Sequence, residues 1–201
     1  MATGYYLIDN CILNTLQTEH PVTDEEILAA FRIAEKKEQA FTWLLKRDQK
    51  KVYWLVRRMV LDHEDANDLV QDVFIRVWNS LSSFRGESRL IYWIYRIATN
   101  ITLTFLDKKK RKAFLPLEEP GSELREKLYS GNFINGTAIQ LTLQEAILTL
   151  PERQRLVFQL RYYDELPYEA MSDMLETSAG ALKASYHHAV KKIEKYMIDH
   201  Q

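Results

Sequence analysis

Arg85, Gly86 and Arg89 lie in a short polar turn, "SSFRGES", that opens directly onto a stretch carrying Tyr92, Trp93 and Tyr95. From Arg85 to Lys112 there are eight cations, opposed only by Glu87 and Asp107. Such a local excess is an electrostatic footprint for phosphate. Cations interleaved with rings suit single-stranded nucleic acid, because the cations track the backbone and each unpaired base gains about 1–3 kcal/mol by stacking. The plainer alternative is a solvated helix end, since cations also favour a helix C-terminus.

A second arrangement is acidic. In "EDANDLVQDVFIRVW", Ala66, Leu69, Val70, Val73, Phe74 and Val77 form one apolar stripe. Asp65, Asp68 and Asp72 recur on another face, with Gln71 between them. Acids early in a helix complement its dipole, which accounts for Asp65 and Asp68 but not for Asp72, two turns in. An acidic stripe beside an apolar edge suits a partner that presents basic residues.

A third arrangement closes the chain. Pro167 opens a short helix, "PYEAMSDML", with Met171, Met174 and Leu175 inward. Ser178 then reads as the N-cap of a longer one in which Leu182, Tyr186, Ala189 and Ile193 repeat. A short helix, a tight turn and a longer helix with small residues at its start is the pattern of a helix-turn-helix, although a generic αα-hairpin shares it.

The elements that must position these groups read as helices throughout. Only 6 Gly and 5 Pro punctuate 201 residues, and most windows show helical apolar spacing, so the fold class is all-α. Thr23 before Asp24, Glu25 and Glu26 marks a helix start. Phe41, Leu44, Leu45, Val52, Leu55, Val56, Met59 and Val60 then trace one long apolar stripe. Arg57 and Arg58 lie beside that stripe and read as a solvated edge. Leu90, Ile94, Ile97 and Ile101 give the aromatic helix its core side.

Ala113 to Gly136 has two prolines, three glycines, an acidic bias and no sustained period, and reads as a linker ordered only on a partner. Beyond it, Leu141, Leu143, Ala146, Ile147 and Leu150 suggest one helix. Pro151 opens the next, "PERQRLVFQLRYY", which buries Leu156, Val157 and Leu160. The chain divides into an N-terminal extension (1–23), a helical domain (24–112), the linker (113–137) and a second helical domain (138–201).

The net charge of −1 names no polyanion partner by itself. A lone Cys11 cannot form an intramolecular disulfide, and neither a signal-like segment nor a run of roughly 20 apolar residues is present, which fits a cytoplasmic protein. Cys11 and His20 are too few for a metal site, so neither a metal nor a cofactor is expected. An enzyme is disfavoured because the acids along the helix have no nucleophile or metal-binding His beside them.

Together, "DANDLVQDVFIRVW", "FRGES" and "WIYRIATN" resemble the second conserved region of bacterial sigma factors, and "LPERQRLVFQLRYYDELPYEAMSDML" with the capped final helix resembles their fourth. With only these two regions and a linker, residues 24–197 resemble the extracytoplasmic-function (ECF) group. The resemblance implies a non-enzymatic transcription initiation factor that carries core RNA polymerase to promoters through the β′ clamp and the β flap. Asp65, Asp68, Gln71 and Asp72 would face the β′ clamp helices. Ser83, Phe84, Arg85 and Ser88 would line the site that captures an unstacked base of the minus-ten element. Arg89, Trp93, Arg96 and Asn100 would support the duplex edge and its backbone. Lys183, Ser185, His187, His188 and Lys191 would meet the minus-thirty-five element. An anti-sigma protein is a common further partner in the family, and the linker would thread toward the RNA exit path.

Two departures stand out. Ser185, His188 and Val190 occupy positions where family members carry arginines, while Lys183, Lys191 and Lys192 remain. Glu176 stands in the turn where glycine is common, just where DNA phosphate approaches. A sigma-like polymerase-binding regulator that does not initiate, and a polymerase-independent helix-turn-helix repressor, are the competing readings. The repressor leaves the turn and the aromatic helix unexplained.

Because phosphate neutralisation supplies much of DNA affinity, fewer cations mean weaker distal contact. Residues 138–201 are expected to bind distal-element duplex less tightly than an arginine-rich relative, with a log–log salt slope shallower by up to about 3. Equal affinity at an equal slope in a salt titration would overturn this.

Overall fold

The computed structural model describes residues 22–112 and 138–200, and within them every regular element is helical. The readings placed on the N-terminal extension up to residue 21, on the linker 113–137 and on Gln201 lie outside the described residues.

Helix α1 (Asp24–Phe31) starts as its sequence predicts. Thr23 Oγ1 accepts from Glu26 N at 3.2 Å while Glu26 Oε2 accepts from Thr23 N at 2.8 Å, a reciprocal capping box. A 3₁₀ turn (Ala34–Lys36) leads into α2 (Lys37–Val60), which Leu61 ends in the left-handed conformation. Helix α3 (His63–Ser80) is capped by Asp62, whose carboxylate accepts from Glu64 N and Asp65 N. Asp65 therefore sits in the first turn rather than at the cap. A second 3₁₀ turn (Leu81–Ser83) and the polar loop precede α4 (Leu90–Lys112).

Helices α1 to α4 pack on one another as a bundle. Val52, Leu55, Val56, Val73, Val77, Leu90, Ile94 and Ala98 are almost fully removed from water, and Phe31 and Phe41 meet Trp78 edge-on at 5.3 and 5.0 Å. A polar junction fixes where α4 begins. Asp24 Oδ2 accepts from Leu90 N at 2.9 Å, and the same carboxylate pairs with Arg47 at 2.7 Å. Arg47 and Lys51 in turn neutralise buried Asp48. One acid at the start of α1 thus anchors the helix that carries the aromatic residues.

The second unit comprises α5 (Ala138–Leu148), α6 (Glu152–Tyr162), α7 (Tyr168–Leu175) and α8 (Ala179–Asp199). Pro151 and Pro167 precede α6 and α7, where a missing N–H is harmless, and Ser178 Oγ accepts from Ala181 N to cap α8. Helix α8 packs across the other three, burying Leu182, Ala189 and Ile193.

The two units touch. Helix α6 lies on α2 and α7 lies on α4, and Leu156, Val157, Leu160, Met171, Met174 and Leu182 belong to the same buried cluster as the core of the first unit. This contact corrects the expectation that Arg57 and Arg58 form a solvated edge. Arg57 is buried, and Arg58 is covered by the second unit, where it pairs with Asp164 at 2.6 Å and lies 4.8 Å over the Tyr163 ring.

Ile94→Ala should destabilise the chain by about 2–5 kcal/mol, since it removes a fully buried side chain at the centre of the first bundle. A lowered urea midpoint at unchanged m-value is the expected result.

Candidate nucleic-acid and protein-docking surfaces

The polar loop owes its path to a few local bonds. Phe84 N donates to Leu81 O at 3.2 Å, Ser83 Oγ donates to Ser80 O at 2.7 Å, and Gly86 turns the chain at φ +77°, a conformation that side chains resist. The Phe84 ring packs inward against Trp93 at 5.2 Å, which leaves Ser83, Arg85, Ser88 and Arg89 outside. Arg85 is 84% exposed and makes only a loose pair with Glu87 at 3.8 Å. Arg89 stacks 5.2 Å from the Tyr92 ring and donates to its hydroxyl at 3.2 Å.

Seven of the eight residues expected to handle the opened strand (Ser83, Phe84, Arg85, Ser88, Arg89, Trp93 and Arg96) line one cleft of about 730 Å³. Asn100 lies one turn further along, in a second groove shared with Trp93, Arg96, Lys108 and Asp72. Tyr92 also lines the first cleft, although its spacing alone did not separate it from core aromatics. The opposite wall of that cleft is α7, with Glu169 and Asp173, and Arg96 forms an ion pair with Glu176. No local signal could have placed these acids there, because they come from about 80 residues further along the chain.

On α3, Asp68, Gln71 and Asp72 are exposed. Asp65 is different: it is partly covered and pairs with Lys109 of α4 at 2.9 Å. The acidic stripe is therefore divided, with Asp65 held within the chain and Asp68 and Asp72, with Gln71 between them, exposed.

The residues expected at the distal element do not converge on one cleft. Lys183, 5.6 Å over the Tyr168 ring, and the exposed His187 and Lys191 recur every four residues along α8 and so share a face. His188 and Lys191 border a shallow depression with Lys192 and Lys195. Ser185 is half-buried, and its carbonyl accepts weakly from Gln154 Nε2. Val190, at a position where an arginine is usual, packs on the core of the second unit.

The junction between the units is polar at its centre. Asp164, from the α6–α7 loop, accepts from Arg58 at 2.6 Å and from the Tyr95 hydroxyl at 3.2 Å. Burial raises the Asp164 pKa against the opposing pull of Arg58 and Tyr95, and burial likewise raises that of Tyr95. Gln159 Nε2 donates to Arg58 O at 3.1 Å, and Arg155 donates to Met59 O at 3.3 Å. Burial lowers the Arg155 pKa against the opposing pull of the Glu152 carboxylate. Among the described residues there is no cluster of three or more metal-ligating side chains, and no helix is long and apolar enough to cross a membrane.

Two family models match the chain: Sigma-70 region 2 over residues 44–112, and Sigma-70, region 4 over residues 140–193. The chain is 30% identical over 183 residues to the ECF RNA polymerase sigma-E factor of Haemophilus influenzae, covering 86% of this chain and 94% of that protein. It is 30% identical over 181 residues to its Escherichia coli K12 counterpart, covering 86% and 93%. It is 29% identical over 170 residues to the ECF RNA polymerase sigma factor SigW of Bacillus subtilis, covering 81% and 91%. Among solved structures, the sigma factor RpoE in complex with the anti-sigma factor NepR from Bartonella quintana shares the fold, with a TM-score of 0.64 at 19% identity over 78% of this chain and 96% of that one. CnrH in complex with the cytosolic domain of CnrY does so with a TM-score of 0.62 at 19% identity, over 89% and 100%.

Charge reversal at Asp68 or Asp72 should leave thermal stability within about 0.5 kcal/mol, as for surface positions without structural partners. A large drop in melting temperature would show that these acids serve the fold.

Proposed function

The chain belongs to the extracytoplasmic-function group of sigma-70 factors, and on that premise we propose how its surfaces divide the work of initiation. It is a transcription initiation factor that binds core RNA polymerase and directs it to promoter DNA. Residues 24–112 act as region 2 and residues 138–201 as region 4, joined by a linker at 113–137. The family is one of transcription factors rather than catalysts, and no catalytic residue is assigned to this chain. It works in the cytoplasm, where the polymerase acts.

The observation that carries the residue-level reading is the cleft at the start of α4, which gathers Ser83, Arg85, Ser88, Arg89, Trp93 and Arg96 around one space. Drawing a base out of the duplex costs a few kcal/mol, so capture needs several compensating contacts together. Arg85 and Arg89 supply cations, Trp93 a ring, and Ser83 and Ser88 polar contacts. Phe84 contributes from behind by holding Trp93. Asn100 and Arg96 extend the surface along the backbone of the opened strand.

On α3, Asp68, Gln71 and Asp72 meet the β′ clamp, with Asp65 joining them when it leaves Lys109. Region 4 addresses the β flap and, through Lys183, Ser185, His187, His188 and Lys191, the minus-thirty-five element. An anti-sigma protein is a further partner in this reading, since the structural neighbour from Bartonella quintana is a complex with the anti-sigma factor NepR.

Purified chain with core polymerase from its source, transcribing genomic fragments, should give discrete starts that need this protein. Starts should be lost when Trp93 and Arg85 are both replaced by alanine, with co-elution with the polymerase retained. Asp72→Lys should do the reverse, abolishing co-elution. Co-elution without any start from the unmodified protein would instead favour a non-initiating regulator.

A further inference from the structure

We infer that the chain binds an amphiphilic monoanion, a carboxylate on a medium-length alkyl tail, in the cavity where α4 meets α6, α7 and the start of α8, with Arg153 receiving the head group. The site stands on its own geometry, and only its effect on promoter DNA rests on the DNA surfaces assigned above.

The cavity has the proportions of a ligand site. It measures about 500 Å³, with Leu103 of α4, Leu156 and Val157 of α6, Met174 of α7 and Leu182 of α8 among its walls. Leu156, Val157, Met174 and Leu182 are buried and form the floor, while Leu103 is only partly buried. Small-molecule sites usually span about 300–1,000 Å³, apolar within and polar at a few points. No buried residue of this lining is polar, so the floor suits an alkyl tail, whereas polar groups placed there would lose their bonds to water without replacement.

The rim selects the charge. Arg96, Arg153 and Glu176 are the charged residues that border the cavity. Arg96 is paired with Glu176, whereas Arg153 is exposed and makes no ion pair or hydrogen bond among the described residues. Its sequence neighbour Glu152 does not neutralise it, being held by Lys110 at 3.1 Å. Helix electrostatics give no reason for this cation either, since Arg153 stands in the first turn of α6, an end that favours anions. The rim thus carries one unopposed positive charge. A cationic ligand would be repelled, and a dianion would bring more charge than the rim offsets. A carboxylate matches the paired N–H donors of a guanidinium, and Asn100, Thr177 and Ser185 border the same space with polar groups for the rest of the head.

Occupancy has two consequences. The walls come from both helical units, so a ligand that contacts them together stabilises the chain by linkage. It also covers Arg96, Asn100 and Ser185, which are assigned above to promoter DNA, so ligand and DNA exclude each other.

Calorimetric titration of the full chain with octanoate, decanoate and dodecanoate, each below its micellar concentration, tests the site. Affinity should rise by up to about fourfold for every methylene added while the tail stays within the cavity. Decanol should bind at least about fivefold more weakly than decanoate, because it lacks the charge-assisted contact. Arg153→Gln should weaken decanoate binding by about that factor and leave both decanol binding and the melting temperature of the ligand-free chain unchanged. Ala181→Phe, which fills the cavity from α8, should abolish binding of both. Affinities that do not change with tail length, or equal binding of decanoate by the unmodified chain and Arg153→Gln, would overturn the inference. Equally strong, Arg153-dependent binding to phosphatidylglycerol vesicles would also overturn it, by assigning the cation to a lipid surface. Decanoate at ten times its dissociation constant should weaken binding of a mixed-sequence DNA single strand by up to about tenfold. If decanoate binds as expected but the strand is not displaced, the DNA assignment fails and the site stands.

Discussion

Val52, Leu55, Val56, Met59 and Val60 form a stripe of α2 that is almost wholly removed from water, and other helices converge on α2 to do so: α1, α3 and α4 from its own bundle and α6 from the second unit. At roughly 1.5–3 kcal/mol for each large aliphatic side chain fully buried, this stripe is a principal source of cohesion. It also sets the geometry on which function depends. Helices α3 and α4 lie side by side because both pack on α2 and on each other, so the acidic stripe of one and the aromatic helix of the other border a common groove. The acidic face of α3 and the aromatic face of α4 are thereby held in fixed relation, chiefly by burial.

Polar residues then refine what burial leaves loose. The Asp24–Arg47–Asp48 junction fixes the first turn of α4, and Gly86 together with the Ser83–Ser80 bond shapes the loop before it. Trp93 is held from behind by Phe84 and faces the cleft, so a single ring is seated by the core and available to a ligand. Such pre-organisation reduces the ordering penalty of binding any ligand there. The distal surface lacks comparable preparation: its cations spread along α8, and one usual arginine position, Val190, is spent on packing.

What could be read from the sequence follows the range of the interactions involved. Thr23 and Ser178 declare their helices within three residues, and both caps form as their residue types require. The apolar stripes of α2, α3 and α4 are periodic and local, and most of their members are buried, with Phe41, Leu45, Ile97 and Ile101 partly so. Arg57 and Arg58 show where this reasoning stops. Beside a periodic stripe they read as a solvated edge, yet α6 lies over them, bringing Gln159 to the Arg58 carbonyl from 101 positions away. The divided state of the acidic stripe was hidden for the same reason, since Lys109 reaches Asp65 from α4. For Glu176 the sequence offered half of the answer: a missing glycine is visible, but the arginine that its carboxylate meets is not.

That residue also has a genetic consequence. Every glutamate codon becomes a glycine codon by one transition at its middle base. At position 176 this change would relax a left-handed backbone worth roughly 1–2 kcal/mol while deleting the carboxylate that pairs with Arg96. The chain therefore stands a single base away from a form that folds at least as well but has lost this contact between its halves.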